Sequence, residues 1–207
     1  MVELSILLER LGTLHDHVCP RQVLGARMGM AVADLFGLVL PQKSKQLYTF
    51  VEADGCFADG VMIATGCSLG HRTMHLMDFG KVAAVFVDTK TGRAFRVSPH
   101  PLSRTRAVAM FPDAKSRWHA QLAAYQVMPV EELFQIQEVV LTISLAALIS
   151  RPGVRVACSQ CGEEILNQRE VTVGDQVLCQ SCAGHGYWST DEKIIEPEEH
   201  KHATTLV

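Results

Sequence analysis

The chain lacks a basic surplus, a long apolar run, an even cysteine count and any internal repeat. Each absence removes a class of protein. Nineteen Lys and Arg face twenty-two Asp and Glu, a formal net charge of −3 with His neutral. Nucleic-acid and anionic-membrane binders draw on positive surplus, so neither partner is expected. The most membrane-like stretch, 139–149, has Thr142 and Ser144 as its only polar residues. It falls well short of the ~20 residues that span a bilayer. Seven cysteines cannot all pair, which argues against a closed disulfide framework. The first fourteen residues carry no basic segment and include Glu3 and Glu9, unlike a secretory leader. A cytoplasmic protein is expected, with thiols kept reduced.

What is present is 48% hydrophobic and 20% charged, ordinary for a folded chain of 207 residues. Leu4, Leu7, Leu8 and Leu11 recur at helical spacing. Pro20 suits the first position of a second helix reaching Phe36, with Gly37 as its stop. The small residues Gly25, Ala26, Gly29, Ala31 and Ala33 on this helix admit a close neighbour. Residues 47–51 and 82–87 are expected to be strands, the latter forming a hairpin with 94–97 through Thr91-Gly92. Cys56–Ile63 is expected to be short and helical or irregular, and Gly66–Gly80 a loop. Pro99-His100-Pro101 breaks the pattern, and 115–125 is helical. Pro129 with Glu131 and Glu132 starts a helix expected to run to Ile149. Its last eleven residues are apolar on nearly every side, so burial against the core, the carboxy-terminal module and a second subunit is expected. Arg151-Pro152-Gly153 marks a domain boundary.

Two Cys-x-x-Cys pairs, Cys158/Cys161 and Cys179/Cys182, are separated by the seventeen residues 162–178. Each pair aims two thiolates at one point, and zinc takes four such ligands tetrahedrally. A hairpin turning at Gly174-Asp175 and a short helix opened by the second pair resemble a treble clef. Four sulfurs close the coordination sphere, so this zinc is structural. Residues 151–188 contain three Arg, no Lys and four acids. That is no phosphate-binding surface.

A second set of chemically capable residues lies in the first eighty positions. His15, His17 and Cys19 alternate immediately before a helix, so an extended backbone would aim all three one way. The helix amino end would favour the Cys19 thiolate. Cys56 follows with Asp59 nearby, then Cys67 between Gly66-Cys67-Ser68-Leu69-Gly70, whose amides could wrap an anion or cofactor. Lys81 closes Asp78-Phe79-Gly80-Lys81. Imidazole, thiolate and carboxylate together suit zinc, nickel, copper or iron. His71, Arg72 and His75 add further positive or titratable groups.

These motifs, in this order, resemble the FmdE family, named for the E subunit of formylmethanofuran dehydrogenase. Its Phe/Leu-His-Gly-His-x-Cys-Pro-Gly stretch is similar to Leu14–Arg21 here, its Cys-x-x-Asp to Cys56–Asp59, its Thr-Gly-Cys-Thr-x-Gly-Lys to Thr65–His71, and its Asp-x-Gly-Lys to Asp78–Lys81. Asp16 and Arg21 stand where the pattern has Gly, Ser68 where it has Thr, and His71 where it has Lys. The resemblance implies an α+β fold. A core domain over 1–150, with a small antiparallel or mixed sheet and packed helices, would precede a treble-clef zinc finger over 151–190 and a flexible acidic tail over 191–207. It implies homodimers and a metal-lined cleft holding a second metal ion. The candidates there are His15, His17, Cys19, Cys56, Cys67, Asp59 and Lys81, with Gly66, Ser68, Gly70 and Lys81 cradling a cofactor.

Three functions compete on this reading. The first is a metal-binding accessory protein that supports a molybdenum or tungsten oxidoreductase, as a subunit or in handling its cofactor or metal. The second is a metal-dependent enzyme acting on a small thiol or anionic substrate, with Asp59 or His17 as base and Lys81 on the anion. The third is an interaction or regulatory protein whose finger recruits a partner.

Overall fold

The computed structural model of the chain describes residues 2–149 and 153–188. The expected tail over 191–207 lies outside the described residues, as do Arg151 and Pro152. The described residues up to Ile143 form one compact unit, and the described residues from Ser144 a second. No helix among the described residues is long and apolar enough to cross a membrane.

The first unit opens with α1 (Leu4–Leu14) and α2 (Pro20–Phe36). Leu7 and Leu11 are the buried stripe of α1, as their spacing requires. Cys19 caps α2, Pro20 begins it, and Gly37 ends it in the left-handed conformation at φ 63°. Then follow β1 (Leu47–Val51), α3 (Cys56–Thr65), β2 (Met74–Leu76), β3 (Ala84–Asp88) and β4 (Ala94–Pro99). Next come α4 (Ser103–Met110), α5 (Arg117–Val127), α6 (Val130–Leu133) and β5 (Phe134–Val139).

The five strands form a mixed sheet in the order β2-β1-β3-β4-β5. β1 and β2 are parallel and the other neighbours antiparallel. The register aligns Val51, Ala84, Val97 and Ile136 in one cross-strand row. This row faces the apolar side chains of α2, α3 and α5, including Met28, Val61 and Tyr125, and forms the core with them.

α2 and α3 run parallel in close contact: Gly25 lies against Phe57, Gly60 and Val61, and Gly29 against Ala64 and Thr65. A Cβ on Gly29 would stand 2.5 Å from that of Ala64. The small residues of α2 therefore serve the close approach that their spacing predicts, and they set the amino ends of the two helices side by side.

Two expectations are corrected. The single helix 130–149 is instead one helical turn, a strand and, after a break, α7 (Leu145–Ile149) in the second unit. Phe134-Gln-Ile-Gln-Glu-Val alternates with period two, and this pattern puts Phe134 and Ile136 on the helix-facing side of the sheet. Pairing with the open edge of β4 satisfies a row of backbone groups that a helix would leave unused there. Within a single chain none of the α7 residues is buried, and Val140 is 92% exposed. The loop Gly66–Gly80 contains β2, recruited by the free edge of β1. The break at Pro99-His100-Pro101 stands where expected, and α4 begins two residues beyond it.

The second unit carries two hairpins, β6 (Arg155–Ala157) with β7 (Glu164–Leu166) and β8 (Val171–Val173) with β9 (Gln176–Leu178). The second turns at Gly174-Asp175, as expected, and a helical turn over Ser181–His185 follows. Its apolar centre is Cys158, Ile165 and Leu178. So small a core is the setting in which a metal supplies the missing stability. The mixed α+β architecture with a terminal four-cysteine cluster is the fold class read from the sequence.

Candidate metal and ligand sites

Cys158, Cys161, Cys179 and Cys182 converge, with all four sulfurs within 4.8 Å of one another. Local backbone chemistry builds the arrangement. Gly162 takes φ 77° just after the first pair, and its amide returns to the Cys158 carbonyl at 3.0 Å. The amides of Cys179 and Cys182 donate to the sulfurs of Cys158 and Cys179 at 3.3 and 3.4 Å. The Ser159 amide donates to the Val177 carbonyl at 2.8 Å, tying the first pair to β9.

These contacts divide the thiols. Backbone N–H groups of Cys161 and Cys179 bring the Cys158 thiol down to about 6. The neighbouring Cys179 thiol pushes Cys182 up to about 12, with burial adding to it. One sulfur is thus ready as a thiolate and another holds its proton until a cation replaces it. Four convergent sulfurs with amide donors behind them fit a metal such as zinc.

The amino-terminal candidates form pairs. Among the described residues they make no group of three or more ligand atoms within 4.8 Å. His15, which caps the carboxy end of α1, places Nε2 2.8 Å from Asp59 Oδ2 in the first turn of α3. The side chains of this pair are 31% and 32% exposed, so ligands can reach them. Cys19 caps α2 and Cys56 begins α3, and their thiols lie close enough to influence each other. Burial raises the Cys56 thiol above its ordinary range, and the Cys19 thiol raises it further. Both thiols sit at the positive ends of two parallel helix dipoles.

The remaining candidates are placed elsewhere. His17 is exposed beside this pair in sequence. Cys67 is 2% exposed, belongs to the core and donates its thiol to the Leu47 carbonyl at 3.3 Å. Gly66 is the left-handed stop of α3, with a Cβ there meeting Gln42 backbone. The Gly66 amide donates to the Met62 carbonyl at 2.8 Å. The Cys67 and Ser68 amides donate to the Thr65 and Thr73 hydroxyls, each at 3.1 Å. The amides of Gly66, Cys67 and Ser68 are thus bonded within the chain. Gly70 and Lys81 are exposed, and the Lys81 amide donates to the Glu52 carbonyl at 3.0 Å.

Sequence reasoning missed Gln22. It is fully buried, and its Oε1 accepts the Cys19 amide at 2.7 Å, closing a capping box at the head of α2. Its Nε2 has no hydrogen-bond partner. The signal was present, because Cys19 and Gln22 have the three-residue spacing of such a box with cysteine in the place of serine.

Residues 14–135 match the family described as FmdE, molybdenum formylmethanofuran dehydrogenase operon. The chain belongs to the FmdE family. A curated relative, a probable S-adenosyl-L-methionine-binding protein of Archaeoglobus fulgidus, is 28% identical over 212 residues. That alignment takes in 94% of this FmdE-family chain but 57% of the relative, so the chain spans little more than half the relative's length. A solved structure, a tungsten formylmethanofuran dehydrogenase FmdE-like protein of Syntrophus aciditrophicus, superposes with a TM-score of 0.57 at 21% identity. The match covers 90% of this chain and 95% of the other, and it establishes a shared fold.

Proposed function

We propose that this FmdE-family protein is a metal-binding accessory protein, with a structural zinc in its finger and a working site at the joined amino ends of α2 and α3. One observation carries the reading: the first turn of α3 meets both pairs, Cys56 facing Cys19 at the cap of α2 and Asp59 holding His15 from the carboxy end of α1. A carboxylate accepting from Nε2–H leaves Nδ1 of His15 as the ring's open ligand atom. His15, Cys19 and Cys56 would then be the ligands, and Asp59 would orient the imidazole. Bound metal would supply a Lewis acid, or itself be cargo. The family's operon and the tungsten-enzyme protein among its structural relatives support service to a molybdenum or tungsten oxidoreductase.

Metal content tests this reading. The wild-type protein, purified without chelator, should hold more than one metal ion per chain. Cys19→Ser/Cys56→Ser should keep the finger's ion and lose the other. One zinc per chain in both proteins would sink the reading.

The Archaeoglobus relative favours a second reading, in which this same site takes S-adenosylmethionine. Equilibrium dialysis with that ligand separates the two. Saturable binding that survives loss of the second metal would support this alternative, and absence of binding would remove it.

A further inference from the structure

A cavity between α4 and α5 lies apart from every residue considered so far. It has a volume of about 420 Å³ and is lined by Arg104, Thr105, Val108, Arg117 and Gln121. That volume is within the ~300–1,000 Å³ typical of small-molecule sites. The helices aim these residues by spacing alone. Arg104 and Val108 are four apart on α4, and Arg117 and Gln121 four apart on α5, so each pair shares a helix face.

Two arginines therefore line one concavity. Neither forms an ion pair among the described residues, whose bridges are His15–Asp59, Arg93–Glu138, Arg96–Glu52 and Arg155–Glu164. The surroundings reinforce the sign. Residues 100–121 hold four Lys and Arg against Asp113 alone, in a chain of net charge −3. Arg106 is occupied elsewhere, donating to the Glu132 carbonyl at 2.7 Å. Arg104 lies near the Tyr125 hydroxyl. Like charges brought together without a counter-ion repel, and an arginine fork matches the oxygens of a phosphate group in pairs. Thr105 and Gln121 add neutral donors beside them, and Val108 supplies an apolar wall.

We propose that this pocket binds a phosphate group, with Arg104 and Arg117 as its two charged contacts. It is separate from the cysteine and histidine residues discussed above and does not depend on their reading.

Calorimetry on the full-length, zinc-loaded protein tests the proposal, using inorganic phosphate and ribose 5-phosphate as probes. Saturable binding of either is expected. Arg104→Gln and Arg117→Gln should each weaken it about tenfold or more, the loss of one charge-assisted contact. Arg93→Gln, on the exposed end of the sheet, should leave it unchanged. Tighter binding of the ester would identify an organic phosphate as the ligand, and equal binding free phosphate; both outcomes support the site. No saturable binding to the wild-type protein overturns it, whatever the variants do. Equal weakening by Arg93→Gln also overturns it, by showing general charge attraction. Both pocket arginines are exposed, so melting curves of the variants should match the wild type.

Discussion

Gly25 of α2 and Gly60 of α3 lie so close that neither position has room for a side chain. A Cβ on Gly25 would meet the Phe57 carbonyl and stand 2.8 Å from the Val61 nitrogen. One on Gly60 would meet the Gln22 carbonyl and stand 2.9 Å from the Ala26 nitrogen. Those obstacles are backbone atoms, which cannot rotate aside. The contact does more than pack two helices. It fixes their amino ends together, and so brings Cys19 to Cys56 and His15 to Asp59 across intervals of thirty-seven and forty-four residues.

Gly60→Ala should therefore separate the helices and destabilise the first unit by about 2–3 kcal/mol, the scale of overpacking a tight interior. Gly12→Ala is the counterpart. The nearest atom to a Cβ there is Val18 Cγ2 at 4.0 Å, and Gly12 lies inside α1. That change should stabilise by about 0.5–1 kcal/mol. Urea denaturation of both variants checks the pair of signs, and a stable Gly60→Ala would show that the helices can part without cost.

Glu52 and Arg96 give a second test. The carboxylate accepts two hydrogen bonds of 2.7 Å from the guanidinium, and their side chains are 7% and 27% exposed. Arg96→Met strands a buried carboxylate and should cost about 2–3 kcal/mol, below the full value for a wholly buried pair because Arg96 is partly solvated. Glu52→Gln leaves the arginine access to water and should cost less, about 1 kcal/mol. Denaturation midpoints in the reverse order would contradict this account.

How much of this was legible in the sequence depends on whether the controlling signal was local. The helix start at Pro20, the stop at Gly37, the hairpin turn at Gly174-Asp175 and the cysteine spacing are all local, and each stands where the residues put it. The strand 134–139 was hidden because Pro129 and two glutamates signal a helix start, and only the open edge of β4 makes the alternating pattern decisive. Cys67 shows the same limit at the site. A glycine-bracketed cysteine near a helix end reads as ligand chemistry, but Gly66 serves there to stop α3 and pass Gln42. The thiol then points to Leu47, a partner twenty positions away that no local pattern names.

Cys67 accordingly predicts a pH dependence. Burial holds its thiol above the ordinary range, against the opposing pull of the Thr65, Thr73 and Thr49 hydroxyls. A thiol with a raised value keeps its proton in the folded state. Its contribution is complete below the unfolded value near ~8.5 and is lost as pH climbs through and beyond it. Stability of the first unit should fall between pH 8 and pH 10, and less steeply in Cys67→Ala. Native protein at pH 8 should leave Cys67 unalkylated by iodoacetamide while the unfolded chain reacts. Rapid native labelling at Cys67 would place it at an accessible site instead of the core.

The finger makes the opposite prediction on the acid side. The Cys158 thiol, brought down to about 6 by the amides of Cys161 and Cys179, is the sulfur that yields its proton most readily. Zinc binds thiolates, so protons compete with it, and the competition reaches even this sulfur once the pH passes below about 6. Zinc content should hold at one ion per finger at pH 7.5 and fall steeply between pH 6 and pH 5. Cys161→Ser should shift that loss to higher pH by removing one of four sulfurs. Hydrogen exchange reads the structural consequence. On metal removal, amide protection should disappear over 153–188, where Cys158, Ile165 and Leu178 are the buried apolar centre, and persist over β1, β3 and α2. Protection that survived in both regions after complete metal removal would show that the finger folds without its ion.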